Sequence, residues 1–125
     1  MYLGAHVSAA GGVSKSPSRG EELGCECIQI FSKNQRQWKA ADLELSECQA
    51  FKQEMKNTGQ ESVTIHTSYL INLAAGDEER MGKSRAAFLD EINRGDMLGA
   101  DYIVFHPGSH LGRGAEVGIR CAGEA

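Results

Sequence analysis

Apolar residues fall along this chain in four short runs, ending near His6 (YLGAH), Lys33 (CIQIFSK), His66 (SVTIH) and His106 (YIVFH). Each run is β-type and each breaks into a polar loop. The run ends lie 27, 33 and 40 residues apart, which are βα lengths, since a strand, loop, helix and return need roughly 30 residues. Helical patterns fill the gaps. Cys48, Phe51 and Met55 recur at i, i+3 and i+7 behind Ser46, with Gln49 placed for a capping box and Gly59 as a stop. Phe88, Leu89 and Ile92 mark the apolar side of a longer helix that has Asp77, Glu78 and Glu79 near its start and Gly99 past its end. The helix after Gly11-Gly12 is predicted to be short or kinked, because Pro17 and Gly20 interrupt it. A fourth helix begins between Gly112 and Ala125.

In this frame the unusual residues gather at one end of every strand. His6, the segment Lys33 to Trp38, the segment His66 to Asn72 and the segment His106 to His110 all follow carboxyl ends, where parallel α/β barrels carry their chemistry. The predicted fold class is α/β. Four βα units are half of a (β/α)8 TIM-type barrel, whose usual size is about 250 residues, so residues 1–125 read as one partial barrel domain, the N-terminal half of something larger. Such a half leaves the edges of its first and fourth strands open.

The composition, 41% hydrophobic and 24% charged, is that of a globular domain. A net charge of −4 and a pI near 5.5 exclude a surface that is basic all over, so a polyanion partner must be met by a local patch or by metal. No apolar stretch approaches the roughly 20 residues that span a bilayer, and the opening MYLGAHVS has neither a basic region nor an apolar core of a signal peptide. The expectation is a soluble, cytoplasmic protein with no membrane partner. Cys25, Cys27, Cys48 and Cys121 show no C-x-x-C spacing and are expected to be reduced.

Two histidines at the ends of separate strands, His66 and His106, are a way for a rigid scaffold to hold zinc, because neutral imidazole is a common ligand and the strand fixes its direction. Either one alone is more often a hydrogen-bonded histidine at a strand end. In the loop after the second strand, Lys33 and Arg36 could contact phosphates while Gln35 or Gln37 reaches a groove; composition alone favours a solvated loop anchored by a packed Trp38. His6 faces the same rim and reads equally as a structural histidine or as a contact to phosphate or behind the ligands, while His110 shapes the fourth loop and is the second candidate for a contact behind the ligands. Lys83, Arg85, Arg94 and Arg113 read as solvated charges. The acidic run Asp77 to Glu79 suits a helix dipole and not a metal.

Four segments carry a family resemblance: Gly4 to Gly12 (GAHVSAAGG), Phe31 to Trp38 (FSKNQRQW), His66 to Leu73 (HTSYLINL) and Phe105 to His110 (FHPGSH). In order and spacing, from residue 2 to about residue 120, the chain resembles the endonuclease IV family of apurinic/apyrimidinic (AP) endonucleases. The resemblance implies a zinc-dependent DNA repair nuclease on a (β/α)8 barrel, monomeric, acting on double-stranded DNA. The family cuts the phosphodiester 5′ to an abasic site, leaving a 3′-hydroxyl and a 5′-deoxyribose phosphate. It carries three zinc ions at the carboxyl face, and His66 and His106 match two protein ligands of one of them. The remaining ligands belong to the other half of the barrel, so the 125-residue chain is expected to be inactive alone. Arg36 matches a residue that enters the DNA stack, which reverses the order of readings for that loop. Tyr69 and Leu70 match side chains that fill the gap left by the rotated abasic nucleotide. No catalytic residue beyond the metal ligands is implied.

Two other classes remain open. A metal-dependent sugar isomerase or epimerase of a related barrel would also place histidines and carboxylates at this face, but has no evident use for Arg36 or Tyr69-Leu70. A non-catalytic truncated product is the second, and the reading frame downstream of Ala125 separates it from the enzyme.

Overall fold

The computed structural model describes residues 1–125. Strands β1 (Gly4–His6), β2 (Cys27–Ile30), β3 (Ser62–His66) and β4 (Tyr102–Val104) alternate with helices α1 (Ser16–Glu22), α2 (Leu45–Asn57), α3 (Glu78–Leu98) and α4 (Ala115–Gly123). The sheet is parallel throughout and runs in chain order, β1-β2-β3-β4, with β1 and β4 as edges. Parallel neighbours joined through helices are the expectation for βα units, and this is a four-unit partial barrel.

Alternation along the strands sorts their two faces. Ile28, Ile30, Val63 and Ile65 are buried and pack with Val7, Val13, Phe51 and Leu98 in the main core. The intervening Cys27, Gln29, Ser62 and Thr64 therefore point to the opposite face. His66 continues that second series, and His6 is in register with Gln29. The helices thus cover one face while both histidines share the other. No helix is long and apolar enough to cross a membrane, and all four cysteines are free.

Several local expectations are corrected. Helix α1 is short as expected, at seven residues, but Pro17 and Gly20 do not interrupt it: Pro17 lies in its first turn, where no amide bond is lost, and a Cβ on Gly20 would collide with Ile28 Cγ2. Helix α2 begins before Ser46, with Glu44 at the cap and no side-chain cap bond, so the Ser46–Gln49 capping box does not form. On α3 the buried positions are Met81, Ser84, Ala87, Glu91, Arg94, Gly95 and Leu98, while Leu89 and Ile92 are 58% and 40% exposed. The face read as apolar is half outside, and the true inner face carries two charged residues. Arg94 is accordingly not a solvated charge: it donates to the Ser32 carbonyl at 3.1 Å and the Ala41 carbonyl at 3.0 Å. Asp77 is the cap of α3, accepting from the Arg80 amide at 2.9 Å, and Gly99 ends the helix at φ 72°.

Candidate functional site

Five rings meet at the carboxyl rim of the sheet. The His66 centroid lies 5.2 Å from that of His106, 5.4 Å from Tyr69, 5.3 Å from Phe31 and 6.1 Å from His6. Each ring comes from a different place in the chain. His6 and His66 end β1 and β3, Phe31 directly follows β2, and Tyr69 and His106 sit in the loops after β3 and β4. Because β4 ends at Val104, His106 projects from a loop and not from the strand itself.

His66 is buried and its Nδ1 lies 2.8 Å from the Thr67 carbonyl oxygen. A carbonyl only accepts, so Nδ1 carries the proton and Nε2 keeps its lone pair, the arrangement in which a metal-binding histidine is oriented by a backbone group. His6 is held by Gln29 across the strand pair at 2.9 Å. Burial, and then the neighbouring His66, lower the His6 pKa below the ordinary imidazole value. His110 turns away from the rings, its Nδ1 accepting from the Gly114 amide at 3.0 Å at the entry to α4, which is a loop-shaping role.

The loop after β2 divides into an inner and an outer part. Lys33 departs from the expected phosphate contact: its side chain is 1% exposed, its ammonium pairs with Asp90, and it lies 3.9 Å from Glu91. Arg36 is exposed, with its amide bonded to Asn34 Oδ1 at 2.9 Å, and Gln35 is half-buried. Trp38 is 44% exposed rather than packed. A cavity of about 860 Å³ opens between the loops after β1 and β2, with His6, Phe31, Lys33 and Arg36 on its walls. In the loop after β3, Tyr69 is 64% exposed and Leu70 half-buried.

One organising residue has no signature in composition or periodicity. Asn72 Oδ1 accepts from the Ser109 amide and its Nδ2 donates to the Ser109 carbonyl, both at 3.0 Å, tying the loop of Tyr69 to the loop of His106. Gly108 makes room for it, since a Cβ there would overlap Asn72 Oδ1. Asn72→Ala is expected to cost about 1–2 kcal/mol, near 1 per lost bond, and to move the His106 ring signals in NMR. A denaturation midpoint equal to that of the parent chain would contradict this.

Zinc asks for more donors than this rim provides. His66 and His106 are imidazoles with converging rings, but no group of three or more His, Cys, Asp or Glu comes together anywhere in the chain. Zinc sites use three or four protein donors. His66 and His106 by themselves fall short of that number.

A model of the family described as xylose isomerase-like TIM barrel matches residues 18–125. The chain belongs to that family. Within it, the endonuclease IV resemblance is borne out by relatives in sequence and in structure. Those named probable endonuclease 4 include one from Chloroflexus aurantiacus, 49% identical over 98% of this chain and 43% of its own length. Another, from Geobacter sulfurreducens, is 46% identical over 99% of this chain and 42% of its own. The crystal structure of endonuclease IV from Thermus thermophilus superposes with a TM-score of 0.82 at 36% identity, covering 98% of this chain and 48% of that one. The chain thus spans somewhat less than half the length of these family members, in keeping with four βα units of a TIM barrel.

Proposed function

We propose that this chain is the damage-recognising part of a zinc-dependent AP endonuclease, a soluble cytoplasmic monomer that cuts the phosphodiester 5′ to an abasic site and leaves a 3′-hydroxyl and a 5′-deoxyribose phosphate. The observation that carries the reading is the convergence of His66 and His106 at 5.2 Å with the exposed Tyr69 ring against both. Metal donors and a wedge then share one rim. His66 and His106 would hold one zinc, with further donors and the other two ions of the family supplied outside these residues. When bound, zinc supplies hydroxide at neutral pH and charge stabilisation at the phosphate.

The chain's own side chains select the substrate. Tyr69 and Leu70 fill the gap where the abasic nucleotide has turned out, and Arg36 enters the stack from the neighbouring loop. An abasic nucleotide lacks its own stacking, so turning it out costs less than flipping an intact base. Recognition follows deformability and needs no base-edge hydrogen bonds. Arg36, unlike Lys33, is free of ion pairs and open to a phosphate or a base step. Exposed Tyr69 and Arg36 also speak against a sugar isomerase, whose substrate is small.

A chimaera tests the proposal: this chain replaces the matching 43% of the Chloroflexus aurantiacus relative. With zinc it is expected to incise an abasic duplex, not an intact one, and to stop on chelation. A folded, zinc-loaded chimaera that leaves abasic DNA uncut would overturn the reading. The 125-residue chain by itself is expected to bind zinc weakly and to cut nothing, because two donors fall short of three.

A further inference from the structure

Glu91 lies on the inner face of α3, 1% exposed, and plays no part in the ring cluster. Its Oε2 accepts from the Ser32 hydroxyl at 2.5 Å, and its Oε1 accepts from the Ser68 amide at 3.1 Å. Ser32 begins the loop that carries Arg36. Ser68 immediately precedes Tyr69. A buried carboxylate is costly unless both oxygens are bonded and an opposite charge stands near, and here Lys33 Nζ is 3.9 Å from Oε1. The two loops are also joined directly, because the Ser68 hydroxyl donates to the Gln35 carbonyl at 2.7 Å. One turn along α3, Arg94 holds the first loop at the carbonyls of Ser32 and Ala41. An apolar side chain would fill this position at a lower desolvation cost. It could not accept from two loops at once.

We propose that Glu91 is a positioning residue that couples the loop after β2 to the loop after β3, so that Arg36 and Tyr69 are presented to the duplex as one unit. The coupling stands on the hydrogen bonds alone, while its value for lesion recognition rests on the function proposed above. Ser32 and Ser68 are the two handles by which the helix grips the loops. Movement in one loop then reaches the other through the carboxylate.

Amide hydrogen exchange on the 125-residue chain separates coupling from general stability. Ser32→Ala removes one handle and leaves Ser68 untouched. It is expected to speed exchange of the Ser68 to Ile71 amides about tenfold, the size of one bond to a charged group, with the Val63 and Ile65 amides unchanged. Glu91→Gln can still accept from the Ser68 amide and meet the Ser32 hydroxyl, so it should stay within about twofold of the parent, whereas Glu91→Ala should free both loops. Faster exchange confined to residues 33–38 in Ser32→Ala would show that the loops are independent and overturn the coupling. Faster exchange of strand and loop amides together would also overturn it, as a general loss of stability. Should Glu91→Ala fail to fold, the other two variants decide. In the chimaera, Ser32→Ala is expected to lower the ratio of abasic to intact duplex affinity at unchanged zinc content. Coupled loops with an unchanged ratio would instead retain the coupling and sink the DNA role of these loops.

Discussion

His66→Ala in the chimaera is expected to lower zinc content and cut abasic-site incision by more than about 100-fold while much of the DNA affinity remains. Loss of groups that merely orient a ligand costs roughly 10–100-fold in metal affinity or activity, so loss of a ligand should exceed that. The Nδ1 bond to Thr67 leaves Nε2 as the nitrogen that matters, and alanine removes it together with its support. Tyr69→Ala and Arg36→Ala are expected to behave in the opposite way. Both lie in loops beyond the strand ends, and losing a stacking contact is worth roughly 1–3 kcal/mol per base, about tenfold or more in lesion binding at constant zinc. Zinc stoichiometry by atomic absorption and duplex affinity by anisotropy separate the two behaviours. If Tyr69→Ala loses metal as His66→Ala does, the wedge assignment is wrong.

Phe51→Ala should have the largest effect on folding, about 3–5 kcal/mol, the usual range for deleting a buried phenyl ring. Phe51 has no exposed surface and packs from α2 among Ile28, Ile30, Val63, Ile65 and Leu98. Against a typical total of about 5–15 kcal/mol, that loss is a large share of the stability. Ser46→Ala on the same helix is the control. Because Ser46 caps nothing, its replacement should stay within about 0.5 kcal/mol. Urea midpoints give both values, and a Ser46→Ala loss near 1 kcal/mol would restore the capping box to the account.

The contrast between these two residues shows how far the sequence can be read. Strand ends and the rim are legible because β-type runs break at polar loops, and a histidine closing a run is hard to mistake. Helix faces are less so. On α3 the inner face is built from Ser84, Ala87, Glu91 and Arg94, small or charged residues that hydrophobic periodicity discards, while the conspicuous Leu89 and Ile92 lie largely outside. Lys33 misleads for a related reason: its partners Asp90 and Glu91 are more than fifty residues away in sequence, so nothing local marks it as paired. Trp38 reads as a packing residue on size alone, although a ring at a rim is also suited to stay half in water. Asn72 gives no signal because its role depends on where Ser109 comes to lie.

The order of the sheet also bears on how the protein is made. Gly4 pairs with Cys27, Cys27 with Ser62 and Thr64 with Tyr102, so every strand docks on the one synthesised just before it. Chains emerge from the ribosome N-terminus first at about 5–20 residues per second, and a new βα unit of roughly 30 residues is therefore complete every few seconds. Each finds its template edge already waiting. The sheet can grow by accretion, without any strand idling until a distant partner is translated.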